Sequence, residues 1–304
     1  MSRALRYHHN DCLVNRSSSP LINNCTISAN RAGDNGGGIH CWLNSSPKIN
    51  NCIISANISA TKGGGIYCTL WCHPLINNCT IYANTAPYGG GIHCRAESYP
   101  TIINSIMWAD TPTEIYDEDS PPQVMYTDLQ GGWPGLGNID EVPLFARPGY
   151  WDPNSTPTDP NDDFWVEGDY HLQSSGWRWD AQIKRWRWDY VTSRCIDAGN
   201  PGMLLGDELL SIPNDPDNIW GENMRINMGA FGGTAEASMG PVGGVLRADL
   251  TNDGVVNLKD YAHLVRDWLK SDPTQPGDLN RDGSVDIFDL DLLLADWLKI
   301  TPWY

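Results

Sequence analysis

The strongest constraint on this chain is that its first third repeats itself. Aligning SSPLINNCTISAN, SSPKINNCIISAN and CHPLINNCTIYAN puts Pro20, Pro47 and Pro74 in register, and Pro100 continues the series at intervals of 27, 27 and 26 residues. The same period carries Cys25, Cys52 and Cys79, then Asn30, Asn57 and Asn84, the GGGI tracts at Gly36, Gly63 and Gly89, and Cys41, Cys68 and Cys94. A unit this short cannot bury an apolar face alone, so the units must stack on one another. Within each unit the apolar residues alternate in short runs, such as Cys25 and Ile27 around Thr26, or Ile39 and Cys41 around His40. A period of two belongs to strands, and strands stacked at about 4.8 Å per coil make a parallel β-helix.

Stacking gives each column a physical role. The Asn30, Asn57 and Asn84 column predicts an internal ladder at a corner, each amide bonding backbone or its neighbour in the next coil, and the glycines predict tight or positive-φ bends. The stacked cysteines are either small apolar fillers or inter-coil disulfides, since the coil spacing lies within disulfide reach. Columns of three cannot pair completely, which favours fillers. His40, Tyr67 and His93 share one outward column, either a solvated, weakly stacking ladder or a metal- or sugar-binding stripe.

Charge narrows the partners. With 37 acidic and 20 basic residues the formal net charge is -17, which argues against nucleic acid or an anionic membrane as the main partner and favours cations. No stretch approaches the length of an apolar membrane span, and Met1 to Asn10 lacks the apolar core of a secretory signal. The repeat is already under way at the start, so the expectation is a truncated or misassigned N-terminus that has lost its export signal.

From about Ile102 the repeat decays into a region rich in Pro, Asp and Gly, where Asp152 to Asp163 (DPNSTPTDPNDD) reads as an exposed connection. Beyond it, GWRWDAQIKRWRWDYVTS alternates aromatic and polar residues about a short turn, predicting a β-hairpin that carries Trp177, Trp179, Trp186 and Trp188. Such tryptophans either form a carbohydrate platform or simply hold the hairpin together. The motifs SRCIDAGNPG and GENMRINMGAFGG follow. With the repeats, they make residues 15 to 238 resemble the secreted β-helix repeat proteins of planctomycetes and other environmental bacteria. That resemblance implies an exported, right-handed parallel β-helix, a fold class that includes many polysaccharide lyases and hydrolases.

No catalytic constellation is legible beside it. A polygalacturonase-like site would show an Asn-x-Asp, an Asp pair, a Gly-His-Gly and an Arg-x-Lys, and only the adjacent Asp162 and Asp163 fit, in a Pro-rich loop. Asp197, Asp207, Glu208 and Arg225 are the charged residues of the family-like motifs and the first to test, with turn and ladder hydrogen bonding as the alternative role.

After MGPVGG (Met239 to Gly244), which reads as a flexible linker, two copies of one motif align at a spacing of 29, through Asp249 and Asp278, Gly254 and Gly283, Asp260 and Asp289, and Trp268 and Trp297. Each is an EF-hand-like loop followed by one helix. Calcium needs six to eight oxygens, and a twelve-residue loop offers them from positions 1, 3, 5, 7, 9 and 12 around a glycine at 6. The first copy offers Asp249, Thr251, Asp253, the Val255 carbonyl, Asn257 and Asp260; the second offers Asp278, Asn280, Asp282, the Ser284 carbonyl, Asp286 and Asp289. Thr251 is the weak ligand, so the first site is expected to bind less tightly. Helices are predicted over Leu258 to Lys270 and Ile287 to Lys299, with Leu264, Trp268, Leu292 and Trp297 packing together.

Asp at position 12 and no helix ahead of either loop set these copies apart from calmodulin-type sensors, and residues 247 to 299 resemble a dockerin. The resemblance implies two calcium ions and a cohesin-type partner, met through positions 10 and 11: Leu258 and Lys259, then Ile287 and Phe288. These lack the hydroxyl pair of many type I dockerins, which implies apolar contacts. The expected organisation is a mainly β chain: a right-handed parallel β-helix over 1–238, with clear coils in 15–110 and irregular coils plus a hairpin in 111–238, a linker over 239–246 and a small α-helical dockerin over 247–304. The expected function is an extracellular or cell-surface β-helix protein tethered to a cohesin-bearing scaffold and linked to polysaccharide. The alternatives are a non-catalytic structural or adhesive protein and a polysaccharide lyase or glycoside hydrolase.

Overall fold

The computed structural model describes residues 3–4, 13–156, 158, 162–213, 220–271 and 274–301. They form two compact units: Met1–Gln123 with Phe145–Tyr170, and Val124–Leu144 with His171–Tyr304.

The first unit is the stacked-coil fold that the repeat demands. Its parallel sheets are built one strand per coil. One sheet stacks Leu13–Arg16, Ile39–Trp42, Ile66–Thr69, Ile92–Arg95 and Ile115–Glu118. A second contains Leu21–Asn23, Lys48–Asn50, Leu75–Asn77 and Thr101–Ile103, and a third contains Cys25–Ser28, Ile53–Ser55, Thr80–Tyr82 and Ile106–Trp108. Register keeps like over like. Ile39, Ile66, Ile92 and Ile115 pair in succession, as do Ile22, Ile49, Ile76 and Ile102. These isoleucines are the core, and removing each from water contributes about 1.5–3 kcal/mol.

The cysteines of the repeat are free thiols, and all the described ones but Cys25 are buried, in the filler role rather than as disulfides. Gly36, Gly63 and Gly89 have φ of 71, 65 and 64°, the positive-φ bends expected of them. Two further corners use no glycine at all. Asn24, Asn51, Asn78 and Asn104 turn one corner at φ near 50°, and Ala29, Ala56, Ala83 and Ala109 turn another at φ of 54 to 63°. Alanine there costs roughly 1–2 kcal/mol, offset by the stacking that the bend makes possible.

The asparagine ladder is complete. Asn30 donates its side-chain amide to Asn57 Oδ1 at 2.8 Å, Asn57 donates to Asn84 Oδ1 at 2.9 Å, and each of Asn57 and Asn84 also donates to a backbone carbonyl of the preceding coil, Ile27 or Ile54. The next rung is a carboxylate: Asp110 Oδ1 accepts from the Asn84 amide at 2.8 Å. Asp110 is buried against Glu114, itself buried, whose carboxylate accepts the Asp110 N–H.

The outward column stacks, with His40 to Tyr67 centroids at 5.0 Å, Tyr67 to His93 at 5.4 Å and His93 to Tyr116 at 5.1 Å. It is not a solvated stripe, however. His93 and Tyr67 are buried, and the Glu118 carboxylate lies 3.3 Å from His93 Nε2 and 2.9 Å from Lys62 Nζ. Residues 145–170 lie on the coils through Glu167, which accepts from Ser55, Trp165 and Tyr170. Two antiparallel strands, Tyr150–Asp152 and Phe164–Val166, flank the expected exposed connection, in which Asp162 is exposed and bonded to Thr156.

In the second unit the tryptophan hairpin forms as predicted, Arg178–Asp180 against Arg185–Arg187 with Trp179 opposite Trp186. Residues 190 to 246 then carry isolated bridges in place of described strands. Met239 donates to the Trp177 carbonyl at 2.8 Å and Gly240 exchanges two bonds with Glu222, so the start of the segment that reads as a flexible linker is pinned.

Burial pushes the Asp110 carboxyl up from 3.8 to about 6. A carboxyl raised in the folded state contributes its stability below its unfolded value and loses it as pH rises through about 6. Thermal melting should therefore show the β-helix losing about 1–1.5 kcal/mol between pH 5 and pH 8, after a comparable loss between pH 4 and pH 5. Asp110→Asn, which extends the ladder with a neutral rung able to donate to Glu114, should flatten that dependence, and an unchanged profile would contradict this origin.

Candidate metal centre

The C-terminal module builds the same loop twice. Position 1 of each loop ties its turn: Asp249 accepts the N–H groups of Asp253 and Gly254 at 3.2 and 2.8 Å, and Asp278 those of Asp282 and Gly283 at 3.1 and 2.9 Å. Gly254 and Gly283 have φ of 86 and 94°, a conformation that side chains rarely adopt, which is why glycine stands at position 6. Position 12 closes the loop. Asp260 accepts from the backbone of Thr251 and Asn257, and Asp289 from that of Asn280 and Asp286, at 2.8 to 3.0 Å.

Position 12 also starts the helix. Helix α1 spans Leu258–Arg266 and α2 spans Ile287–Ala295. Asn257 and Asp286 are their N-caps, and Asp260 and Asp289 complete reciprocal capping boxes. Loop and helix are thus one hydrogen-bonded piece. The helices end four residues earlier than the sequence suggests, because each runs into a turn that brings the chain to Leu269 or Leu298 at φ of about 60°. That turn pays off in cross-linking: Leu269 and Lys270 bond the Val285 backbone, and Leu298 and Lys299 bond Val256.

The core contains Leu246, Leu250, Val256, Leu264, Leu279, Val285 and Leu293, with Leu292 and Trp297 packed on it. Trp268, expected in this group, is 36% exposed. The early turn after α1 carries it to the surface.

The donors suit a hard divalent cation. Asp260, Asp278 and Asp289 are fully buried, and among the described residues none is in a salt bridge. A buried carboxylate without a countercharge is costly, and bound calcium supplies the countercharge. Burial pushes the Asp249 and Asp278 carboxyls up, the direction a bound cation reverses. Among the described residues no group of three or more His, Cys, Asp and Glu side chains, in the loops or elsewhere, is already gathered as a metal cluster. Two differences between the loops bear on the donors. Thr251 Oγ1 donates to Asp260 Oδ1 at 3.0 Å, and Lys259 Nζ lies 2.6 Å from Asp253 Oδ2, a contact that Phe288 cannot make in the second loop. At positions 10 and 11, Leu258, Ile287 and Phe288 are 69, 59 and 65% exposed, and Lys259 is exposed beside them.

Of the charged residues of the family-like motifs, Asp197, Glu208 and Arg225 hydrogen-bond the backbone through their side chains. Asp197 accepts the Met224 and Arg225 N–H groups, Glu208 accepts those of Asn227 and Gly233, and buried Arg225 donates to the Gly199 and Asp249 carbonyls. Asp207 is exposed, and its backbone N–H bonds to the Gly233 carbonyl.

Residues 7–111 match the right handed beta helix region, and residues 247–298 match the dockerin type I domain. The chain is a β-helix repeat protein with a C-terminal dockerin. No curated protein and no solved structure matches it. Dockerin type I domains bind calcium, and dockerins bind cohesins. In this dockerin the exposed positions 10 and 11 flank the two EF-hand-like loops. No helix of the described residues is long and apolar enough to cross a membrane.

Packing within the dockerin can be checked directly. In calcium, Leu264→Ala and Leu293→Ala should each destabilise the module by about 2–4 kcal/mol, while Trp268→Ala should cost less than about 1 kcal/mol. Helical circular dichroism during melting distinguishes them, and equal losses at all three would place Trp268 in the core after all.

Proposed function

We propose that this protein is an extracellular or cell-surface β-helix whose dockerin, loaded with two calcium ions, tethers it to a cohesin-bearing scaffold through an apolar contact. The observation that carries this reading is the exposure of Leu258, Ile287 and Phe288 on the first turns of helices that the calcium loops themselves cap. A large apolar residue held rigidly and left exposed is the usual anchor of a protein interface. Lys259 adds one cation to the first copy's face.

The β-helix is linked in this reading to polysaccharide, as a binding or structural element rather than a catalyst. Trp188 and Tyr190 are 44 and 90% exposed, with centroids 4.6 Å apart. Exposed rings suit sugar faces. Trp177 and Trp179 have other work, the one stacked on Trp220 and the other paired with Trp186. The alternative, a polysaccharide lyase or glycoside hydrolase, would release unsaturated products absorbing in the ultraviolet or new reducing ends. A broad polysaccharide panel with calcium should give retention without either product.

Calorimetric titration should resolve two calcium sites, the second tighter, with Lys259→Met strengthening the first by on the order of twofold to fivefold. Cohesin capture should require calcium and fall by about tenfold to a hundredfold in an Ile287→Asp, Phe288→Asp double variant that still binds both ions. Capture by the apoprotein, or undiminished capture by that variant, would overturn the proposed contact.

A further inference from the structure

Position 4 of an EF-hand-like loop ligates nothing, yet in both loops that residue is committed to the segment ahead of the dockerin. Asn252 donates its side-chain amide to the Ala198 carbonyl at 2.8 Å and to the Gly137 carbonyl at 2.7 Å. Arg281 donates to the Pro201 carbonyl at 3.0 Å and the Met224 carbonyl at 2.8 Å. Both sit at φ near 60°. Bonds also run the other way. Arg225, 1% exposed, donates Nη1 to the carbonyl of Asp249, the first residue of the first loop, at 2.8 Å, while Nε and Nη2 hold the Gly199 carbonyl. Asn200 donates to the Thr274 carbonyl at 2.9 Å, between the two loops. At Gly202 a Cβ would collide with the Gln275 carbonyl, so the two backbones touch.

The receiving segment has no described strand from 195 to 202 or from 223 to 228. Its order rests on a few bonds: Gly199 to Ile226, Met228 to Cys195, and the Asp197 carboxylate on the N–H groups of Met224 and Arg225. If the Asp249 backbone leaves, the buried Arg225 Nη1 loses its carbonyl acceptor, a costly loss for a guanidinium that keeps only the Gly199 and Ala198 carbonyls.

We infer that residues 195–202 and 223–228 are a receptor surface for the calcium-loaded loops, so that calcium orders these stretches together with the dockerin and makes the dockerin their cap rather than a hinged tether. The inference rests on the calcium reading proposed above. Metal held by the loops fixes the Asp249 carbonyl and the backbones of Asn252 and Arg281, and through them the segment's own carbonyls find their donors. Without metal the loops lose their shape, and the segment loses its partners with them.

Hydrogen exchange on the full chain, read by mass spectrometry of peptides in saturating calcium and in EGTA, tests this. Chelation should speed exchange in 195–202 and 223–228 by about tenfold or more, together with that in 249–298, with the coils of 39–118 as the internal control. Arg225→Met risks misfolding, so the decisive variant is Asn252→Gly with Arg281→Gly, which removes both side-chain links and suits the positive φ. In calcium it should keep 249–298 protected while 195–202 and 223–228 exchange at the EGTA rate. Chelation that deprotects 249–298 alone, or a double variant with both stretches still protected, would overturn the coupling and leave the calcium reading standing. Loops indifferent to calcium would remove both.

Discussion

A coil of about 27 residues cannot satisfy its own backbone. Its strands are three or four residues long, and their N–H and C=O groups point up and down the stack, where only another coil can meet them. Nearly everything in the first unit follows from that requirement. The isoleucines stack because register is fixed by hydrogen bonds, and corners recur at identical φ because each must deliver its strand to the same height. Ala29, Ala56, Ala83 and Ala109 tolerate a left-handed backbone for the same reason. The local cost at each corner is smaller than the loss of a whole ladder of backbone bonds.

Such a stack has a problem at its end, and the chain meets it with charged groups used as hydrogen-bond hardware. Asp110 replaces asparagine on the last rung and brings Glu114 with it, trading a neutral amide for a carboxyl that burial has raised. Farther along, Asp197, Glu208 and Arg225 do comparable work in backbone that has no regular strands. A buried ion there is costly unless every lone pair and proton is used, and these are nearly all spent on backbone partners. Charge in this protein thus marks places where regular structure stops.

Legibility in the sequence followed the same division. The coils, the glycine bends and the Asn30, Asn57 and Asn84 ladder were readable because a period exposes any residue type that a position demands. The Asn24 and Ala29 corners share the period but were not read as bends, since asparagine and alanine are common everywhere and nothing about them signals φ. The EF-hand-like loops of the dockerin were readable because such a loop dictates both residue type and spacing. The ends of α1 and α2 were not, because Leu269 and Leu298 turn left-handed to reach Val285 and Val256, bonds that depend on the other half of the module. Trp268 was misplaced by the same turn. The burial of His93 was hidden too, since the Glu118 carboxylate beside it lies in another coil.

The link between Arg225 and Asp249 explains why motif, segment and dockerin are best understood together. RINMGAFGG and CIDAG look, in sequence, like the close of a β-helix, and the Asp-rich repeats look like a separate module. Yet Arg225 from the first motif reads the backbone of the first loop, and Asn252 and Arg281 from the loops read the backbone around the second. All three are long or amide side chains addressing main-chain carbonyls, so the recognition depends on backbone shape rather than on the identity of the facing side chains. Backbone shape in an EF-hand-like loop is what the metal fixes. On the proposed calcium reading, a site at such a junction acts on structure beyond its own twelve residues and presents the exposed Ile287 and Phe288 from a base that the preceding segment helps to hold.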